Sequence, residues 1–337
     1  MIQFSVCLPV KNGWPYIQEC VESILGQTYP NFELQVLDNN STDNTVPWLN
    51  SLNDPRIRIH TSHTSLSIVE NWQRIKDIKK LEFMTLIGHD DILGPEFLAS
   101  IKNLIDQHPD AGLYATEGCF INSQGNVIRS LKPRARLETS EEYLTKRFKF
   151  RCDVSGTGYV MKSADYDRIG GIPPFEKLFF ADDALWLSLM QGKYTVTCSE
   201  EHFSIRLHPD SESASLPSIW PSILLGLRQF NEFLQNQNRI DASLSSVIEK
   251  YAAHFMLAYH RNAYILALVA AAQTGEKIDP QTEEFFSSSL AACAPTVKKN
   301  LLCSIKVAFL RALSLSPLRV SIPWLWKVYH QLKNKNS

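Results

Sequence analysis

The stretch that decides the fold is residues 84–91, MTLIGHDD, in which an apolar run ends abruptly in two adjacent acids. Buried apolar surroundings do not tolerate two carboxylates without a counter-charge, so Asp90 and Asp91 are predicted to emerge where a strand ends. In open α/β sheets, ligands bind at the carboxyl ends of the strands. The alternative is that both acids precede a helix that begins near Pro95, because a helix N-terminus also favours negative charge.

Strands and helices alternate through the first hundred residues. Apolar runs predict strands at residues 2–10, 32–37, 57–60 and 81–87. Helical spacing of apolar residues separates these runs, which is typical of a mostly parallel sheet. The second run ends in Asp38 and the fourth ends beside Asp90. Both acids are therefore expected at one edge of the sheet, over the same crevice.

The pattern changes after residue 117. It predicts a hairpin over residues 120–128, a helix over 181–191 that opens with Asp182 and Asp183, and strands over 194–198 and 203–207. Beyond about residue 215 the apolar residues recur at helical spacing, in residues 219–234, 244–272 and 280–292. We therefore predict an α/β unit over residues 1–215, with ligand-binding strand ends in 1–117 and a different pattern in 118–215, and a helical region over 216–337.

Composition limits the class of protein. With 337 residues, 44% of them hydrophobic, the chain can bury a full core, and a net charge of −1 indicates no affinity for nucleic acid. Its seven cysteines are odd in number and include no Cys-x-x-Cys pair, which argues against disulfides and against a zinc site. No run of 18 apolar residues and no signal peptide is visible, so we expect a cytoplasmic protein that does not span the membrane.

The end of the chain is strongly basic. After Glu284 there is no acid, while eight lysine and arginine residues alternate with apolar residues that include Trp324 and Trp326. Basic amphipathic helices with tryptophan bind anionic membrane surfaces, at about 1 kcal/mol per basic residue. The alternative is a helix that packs on another domain and has a solvated basic face. We expect the protein to be peripheral to the inner face of the cell membrane.

Two common nucleotide-binding signatures are missing from the sequence. Neither Gly-x-Gly-x-x-Gly after the first strand nor a phosphate-binding Gly-x-x-x-x-Gly-Lys-Ser/Thr loop is present. Phosphates bound here therefore need another counter-charge. Paired acids at a strand end indicate a divalent cation, because Mg²⁺ or Mn²⁺ is commonly held by one or two carboxylates and substrate phosphates.

Five segments carry a resemblance to the family 2 glycosyltransferases of the inverting GT-A type. They are residues 5–12 (SVCLPVKN), 20–29 (CVESILGQTY), 37–45 (LDNNSTDNT), 87–91 (IGHDD) and 181–187 (ADDALWL). The fourth segment resembles the Asp-x-Asp-Asp motif of the family, and the fifth resembles its Glu-Asp-x-x-Leu-Trp-Leu segment. The resemblance covers roughly residues 3 to 210. It implies a GT-A Rossmann-like sheet sandwiched by helices, followed here by an α-helical C-terminal region.

The resemblance also implies roles for single residues. Pro9 and Asp38 would line the pocket for the uracil base, and Asp90 would bind the metal that bridges the donor diphosphate. Asp182 would be the general base, and His208 resembles a family histidine near the metal. The remaining residues predicted to bind substrate or nucleotide are Val10, Asn12, Asn40, Asp91, Asp183 and Trp186. For Asp182 and Asp183 an ordinary role at a helix start is the alternative, and for Trp186 it is packing in the core. Asp38 could instead stabilise a turn and cap a helix together with Asp43, and His208 could be a structural histidine.

The sequence departs from the family at two acid positions. Gly88 stands where many members have the first Asp, and Ala181 stands where they have Glu. The expected activity is transfer of a sugar from a UDP-sugar, with Mn²⁺ or Mg²⁺, to a glycan or lipid-linked glycan in surface polysaccharide biosynthesis. The alternative is a catalytically silent nucleotide-sugar-binding or scaffold subunit of a membrane-associated glycan assembly.

Overall fold

Ten strands form one mixed sheet in a computed structural model that describes residues 1–208, 218–240, 242–274 and 276–295. The strands are β1 (Phe4–Val10), β2 (Phe32–Asp38), β3 (Ile57–Ile59), β4 (Phe83–Leu86), β5 (Ile92–Leu93), β6 (Leu113–Ile121), β7 (Val127–Ser130), β8 (Leu137–Thr139), β9 (Tyr159–Lys162) and β10 (Tyr194–Arg206). Their order is β3-β2-β1-β4-β9-β6-β10-β5, with β7 on β6 and β8 on β10.

Parallel pairing dominates the first half of the sheet. β1 lies between β2 and β4, and β2 pairs with β3, all in parallel. Strand β9 then enters antiparallel between β4 and β6. Because β9 opposes both neighbours, the carboxyl ends of β1, β2, β4 and β6 all lie at one edge of the sheet. The predicted mostly parallel sheet is therefore confirmed for its first four strands, and antiparallel strands follow as expected.

Helices cover the sheet and supply its core. In the first unit they are α1 (Tyr16–Leu25), α2 (Thr45–Ser51), α3 (Ile68–Gln73), α4 (Phe97–Gln107), α5 (Ser140–Phe148), α6 (Ser163–Arg168) and α7 (Ala181–Leu189), with 3-10 turns at Arg74–Asp77 and Glu176–Leu178. Apolar residues of α1 and α4, such as Ile17 and Ile101, are buried in one core together with residues of β1 and β2, such as Val6. This packing produces the predicted GT-A-like layering.

Two predicted boundaries differ from the structure. The strands expected at residues 194–198 and 203–207 form one strand, β10, whose pairing with β6 is irregular between Cys198 and Phe203. The exposed polar residues of that irregular segment look like a loop in the sequence because an interrupted strand loses its period of two. Residue 117, the predicted end of the nucleotide-binding half, lies within β6, and the division of the unit into a nucleotide-binding half and an acceptor half stays a prediction.

The chain divides into two units, Met1–His208 and Pro209–Ser337, where the sequence predicts a boundary at residue 215. In the second unit the described elements are helical: α8 (Trp220–Ile240), a 3-10 turn (Ala242–Leu244), α9 (Ser245–Val247), a π-helical turn (Ile248–Ala252), α10 (Ala253–Gln273) and α11 (Pro280–Cys293). The α-helical C-terminal region is thus confirmed. The basic segment after residue 295 lies outside the described residues.

One helical stretch of the second unit is long and apolar enough to cross a membrane. It covers Ser245–Gln273, 29 residues, and 67% of its most apolar window is buried inside the protein. Burial of this degree is also typical of the core helix of a soluble protein. That no segment of the chain spans a membrane stays a prediction.

Candidate active site

Asp38 ends β2 and Asp90 follows β4, the two parallel strands on either side of β1. Asp38 in β2 pairs with Val10 of β1. Strand β4 runs beside β1 on the other side and ends at Leu86, four residues before Asp90. Pro9 and Val10 are buried at the end of β1. The structure therefore brings the residues predicted for the base pocket and for the metal to one edge of the sheet, as the strand pattern predicts.

Asp38 is fully buried, and its surroundings come from two loops. Its carboxylate accepts a hydrogen bond from the backbone N–H of Ser41 at 3.2 Å. The Arg74 guanidinium donates to the carbonyl of Asp38 at 3.0 Å and to the carbonyl of His60 at 2.5 Å. Arg74 therefore fixes the loop after β3 against the end of β2. Sequence analysis missed this arginine because no motif identifies a residue that acts on backbone carbonyls.

The loop after β1 is joined to the loop after β2. The Asn12 backbone has a φ of 51°, and its side-chain oxygen accepts a hydrogen bond from the backbone N–H of Thr42 at 2.8 Å. The backbone N–H of Trp14 donates to the carboxylate of Asp43 at 3.0 Å. Burial raises the pKa of Asp43, but hydrogen bonds from Thr45 and Trp14 outweigh it and hold that pKa below its usual value. Asn12 thus shapes the crevice through the backbone, while Asn40 is exposed at φ 54°.

Asp90 and His208 form the candidate metal pair. The His208 Nε2 atom lies 3.0 Å from Asp90 Oδ2, and their side chains are 5% and 19% exposed, respectively. The ring of Tyr16 packs against the imidazole, with 4.6 Å between ring centroids. A carboxylate oxygen and an imidazole nitrogen that converge at a partly open edge are ligand types that Mn²⁺ accepts. The residues present therefore suit the divalent cation that the resemblance implies.

Residues 87–91, which contain Asp90, are called the metal loop here. Arg206 holds this loop in place, a role that sequence analysis did not predict. It is 3% exposed, and its Nε donates to the backbone carbonyl of Asp90 at 2.9 Å. Its guanidinium also forms an ion pair with Glu19 and lies over the ring of Tyr16. The signal in the sequence is its position two residues before His208, which places both side chains on the same face of an extended chain.

Asp91 has a structural role, which corrects its predicted contact with substrate. It is 8% exposed, and its two oxygens accept from the Thr157 hydroxyl at 2.5 Å and the Arg206 N–H at 3.1 Å. Burial, and then the charge of Asp90, raises the pKa of the Asp91 carboxyl. Both acceptor atoms are used inside the protein, so Asp91 shapes the loop that presents Asp90.

Asp182 stands at the first turn of α7 after an unusual backbone segment. Lys177, Leu178 and Phe180 have φ values of 47°, 60° and 63°, a left-handed conformation that side chains rarely adopt. Such strain is concentrated at functional sites. The Asp182 side chain is partly exposed and accepts only a backbone N–H, from Asp183 at 3.0 Å, among the hydrogen bonds described for it. Burial, and then the charge of Asp183, raises its pKa to about 7.

Asp183 and Trp186 are parts of the core, which corrects their assignment to substrate binding. Asp183 is 1% exposed and accepts from the Tyr143 hydroxyl at 2.7 Å and from Arg147 Nε at 2.8 Å. Trp186 is also 1% exposed and stacks on Tyr159. The alternatives that the sequence left open, a helix-start acid and a core tryptophan, are therefore the ones that the structure supports.

One short segment connects the two acid sites. The indole N–H of Trp186, on α7, donates to the carbonyl of Ser155 at 3.3 Å. Two residues later the Thr157 hydroxyl contacts Asp91 and accepts the N–H of Gly88 at 3.3 Å. Residues 155–157 therefore hydrogen-bond both to α7, whose first turn contains Asp182, and to the loop that contains Asp90.

A side chain at Gly88 would crowd the carboxylates of Asp90 and Asp91. A Cβ atom on this residue would lie 2.8 Å from Asp90 Oδ1 and 3.2 Å from Asp91 Oδ2. An aspartate here would have to displace the Asp90 carboxylate, and it would add a third negative charge. Glycine at position 88, where many family members have Asp, therefore leaves room for the carboxylate of Asp90.

Replacing Arg147 by methionine is expected to destabilise the fold by about 3–5 kcal/mol, because it leaves the charge of Asp183 buried without its counter-charge. Urea unfolding measures the change. Arg168→Met is the matched control, since that arginine pairs with Asp165 while 62% exposed and its loss should cost less than about 1 kcal/mol. Equal unfolding midpoints for Arg147→Met and the native chain would show that Asp183 does not need this partner.

Known proteins resemble the chain in both sequence and fold. The model of the family Glycosyl transferase family 2 matches residues 5–168. Chondroitin synthase of Pasteurella multocida is 31% identical over 127 residues, which are 37% of this chain and 13% of that protein. The first curated relatives are matched over only 13% to 35% of their own length.

Two of the solved structures that resemble this chain are similar to it over nearly its whole length. TarS from S. aureus, residues 1–349 with UDP-GlcNAc, is 15% identical with a TM-score of 0.62, covering 97% of this chain and 92% of that one. The mannosyltransferase PcManGT from Pyrobaculum calidifontis, with GDP-Man and Mn²⁺, is 15% identical with a TM-score of 0.52, covering 96% and 87%. Residues 5–168, just under half of the chain, are thus similar to glycosyl transferase family 2, and the chain has the GT-A fold.

Proposed function

We propose that the protein is an inverting glycosyltransferase that moves a sugar from a UDP-sugar to a hydroxyl of a glycan or lipid-linked glycan, in bacterial surface polysaccharide biosynthesis. The observation that carries the proposal is the pairing of two acid sites through residues 155–157: a ligand pair, Asp90 with His208, and a separate acid, Asp182. TarS bound to UDP-GlcNAc and the relation to chondroitin synthase support the choice of donor and setting.

The donor side would use Asp38 and the ligand pair. Asp38, together with Pro9, would bind the base, since a carboxylate accepts well from the N–H of a uracil edge. Asp90 and His208 would hold Mn²⁺ or Mg²⁺, and the Mn²⁺ bound with GDP-Man in PcManGT supports a metal here. When bound, such a cation neutralises the charge that develops on the leaving diphosphate.

The acceptor side would use Asp182 as general base. Its carboxylate takes the proton of the acceptor hydroxyl while the hydroxyl oxygen forms a bond to the anomeric carbon. The bond from that carbon to the diphosphate oxygen breaks, and UDP leaves with the electron pair. Attack from the face opposite UDP inverts the anomeric centre. A pKa near 7 suits this task, because a base is most effective when its pKa lies near the working pH.

A screen of donors tests the proposed function. Each common UDP-sugar and GDP-sugar is incubated with the protein, Mn²⁺ and a panel of glycan and lipid-linked acceptors, and products are measured by mass spectrometry. We expect UDP release together with one new glycosidic bond of inverted configuration. Metal-dependent UDP binding by calorimetry, without release or transfer for any donor, would instead favour the silent scaffold subunit. Preference for a GDP-sugar would overturn the donor assignment alone.

We propose that the protein works in the cytoplasm at the inner face of the cell membrane. The eight basic residues after Glu284, with no acid among them, support attraction to anionic lipid. The full chain should cosediment with vesicles that contain phosphatidylglycerol and lose most of this binding as salt is raised, because salt screens surface charge. Binding to purely zwitterionic vesicles at equal strength, or none to either, would contradict the proposal.

A further inference from the structure

Strand β10 carries a large bulge within its length, before the residues that lead to His208. Between Cys198 and Phe203 its register against β6 shifts twice, so that Cys198 pairs with Thr116 and Phe203 with Gly118. The chain therefore advances five residues along β10, from 198 to 203, while it advances only two along β6, from 116 to 118. A bulge of this kind bends the strand that contains it.

The bulge brings three metal-ligating side chains together. In a regular strand, residues four apart are about 13 Å apart along the chain. Here one ligand atom each from Cys198, Glu200 and His202 lies within 4.8 Å of the others. Cys198 and His202 are half-buried and Glu200 is exposed, so the group opens to solvent on one side. These residues have no part in the proposed sugar transfer.

We propose that Cys198, Glu200 and His202 form a binding site for a zinc-class divalent cation. A thiolate, an imidazole and a carboxylate are the three protein ligand types that Zn²⁺ takes, and a water would complete a tetrahedron. Tetrahedral bonds of about 2.0–2.3 Å put ligand atoms roughly 3.5 Å apart. The present separations, none above 4.8 Å, exceed this value by at most about 1.3 Å.

The type of ligand separates this site from the donor site. A cysteine thiolate favours Zn²⁺, whereas the oxygen-rich surroundings of Asp90 favour Mn²⁺ or Mg²⁺. The Cys198 thiol donates weakly to the Glu200 carbonyl at 3.7 Å, and burial raises its pKa to about 11. Binding therefore forms a sulfur–metal bond and releases the thiol proton to the buffer.

The site would stabilise the link between the bulge and the metal loop. The His202 carbonyl accepts from the N–H of Gly94 at 2.7 Å, and Phe203 pairs with Leu93 of β5, which directly follows the loop containing Asp90. A cation that binds only the folded bulge adds its binding free energy to the stability of the fold. The sequence does not reveal such a site, because its ligands lack the Cys-x-x-Cys spacing that indicates zinc.

Cobalt substitution of the full chain tests the proposal. Titration of the reduced protein with Co²⁺ should produce the near-ultraviolet thiolate-to-cobalt charge-transfer band, which a site without cysteine cannot give. Competing Zn²⁺ should remove the band and raise the melting temperature. Cys198→Ser should abolish the band. His202→Ala should weaken metal binding by at least about 100-fold, since removing a residue that only hydrogen-bonds to a metal ligand already costs about 10- to 100-fold in affinity. Cys152→Ser, a half-buried cysteine outside the group, is the matched control.

Three results would overturn the inference. They are no charge-transfer band in the native chain, a band that persists in Cys198→Ser, or a band lost equally in Cys152→Ser. If Cys198→Ser fails to fold by circular dichroism, Glu200→Gln replaces it, because that side chain is exposed and its loss leaves the core intact. Glu200→Gln should lower Zn²⁺ affinity at least about tenfold, and unchanged affinity would count against the site.

Discussion

Asp182→Asn is expected to lower the rate of sugar transfer by about 100- to 10,000-fold, the usual contribution of a positioned general base. The amide matches the carboxylate in size, and its oxygen can still accept the N–H of Asp183. The fold should therefore persist while the group that takes the acceptor proton is lost. Initial rates of UDP release with saturating donor and acceptor measure the effect. KM values should change little, because the loss is confined to the transition state.

The pH profile gives an independent readout of the same residue. The pKa of Asp182 is raised from 3.8 to about 7, so the carboxyl is protonated and inactive below pH 7 and ionised above it. The native rate should rise about tenfold per pH unit up to pH 7 and then level off, and the variant should lose this rise. Asp106→Asn is the matched control, an exposed acid paired with Lys102 on α4. Full activity of Asp182→Asn would remove this residue from the mechanism.

Asp90→Ala is expected to lower transfer by about 100- to 1,000-fold, corresponding to several kcal/mol of lost charge stabilisation. It removes the carboxylate that lies 3.0 Å from His208 and leaves a single protein ligand of the pair. Affinity for UDP should become insensitive to Mn²⁺. Isothermal titration of UDP, with and without Mn²⁺, measures this directly and without any acceptor.

Stability separates this effect from damage to the fold. The charge of Asp90 raises the pKa of the neighbouring buried Asp91, so its removal relieves a repulsion, and the melting temperature should not fall. Asp77→Ala, which removes an exposed acid after α3, is the control and should keep Mn²⁺-dependent UDP binding. Retention of Mn²⁺-dependent binding by Asp90→Ala would show that the cation lies elsewhere.

The local pattern of the chain was sufficient for much of the fold. β1, β2 and β4 lie within a few residues of their predicted ranges, because continuous apolar runs bounded by polar turns are typical of buried parallel strands. The hairpin of β6 and β7 was likewise predicted from its glycine-containing turn. β10 was predicted as two strands, since its bulge interrupts the alternation on which the prediction depends.

The sequence did not distinguish the two acids of either adjacent pair. Asp90 and Asp91 look equivalent in the chain, as do Asp182 and Asp183. In the structure one member of each pair is partly exposed, while the other is buried against Thr157 and Arg206, or against Tyr143 and Arg147. Those partners are 36 to 115 residues away, and no local pattern shows which carboxylate they will occupy.

The sequence by itself determined the order of most strands and helices, the resemblance to a family, and the edge of the sheet where the acids gather. These properties follow from periodicity and from short motifs, which are local. Only the tertiary structure decided which acid of each pair stays available, that Arg74 and Arg206 hold the loops, and that Cys198, Glu200 and His202 converge. These depend on contacts between distant segments, whose distances are set when the sheet closes and the core packs.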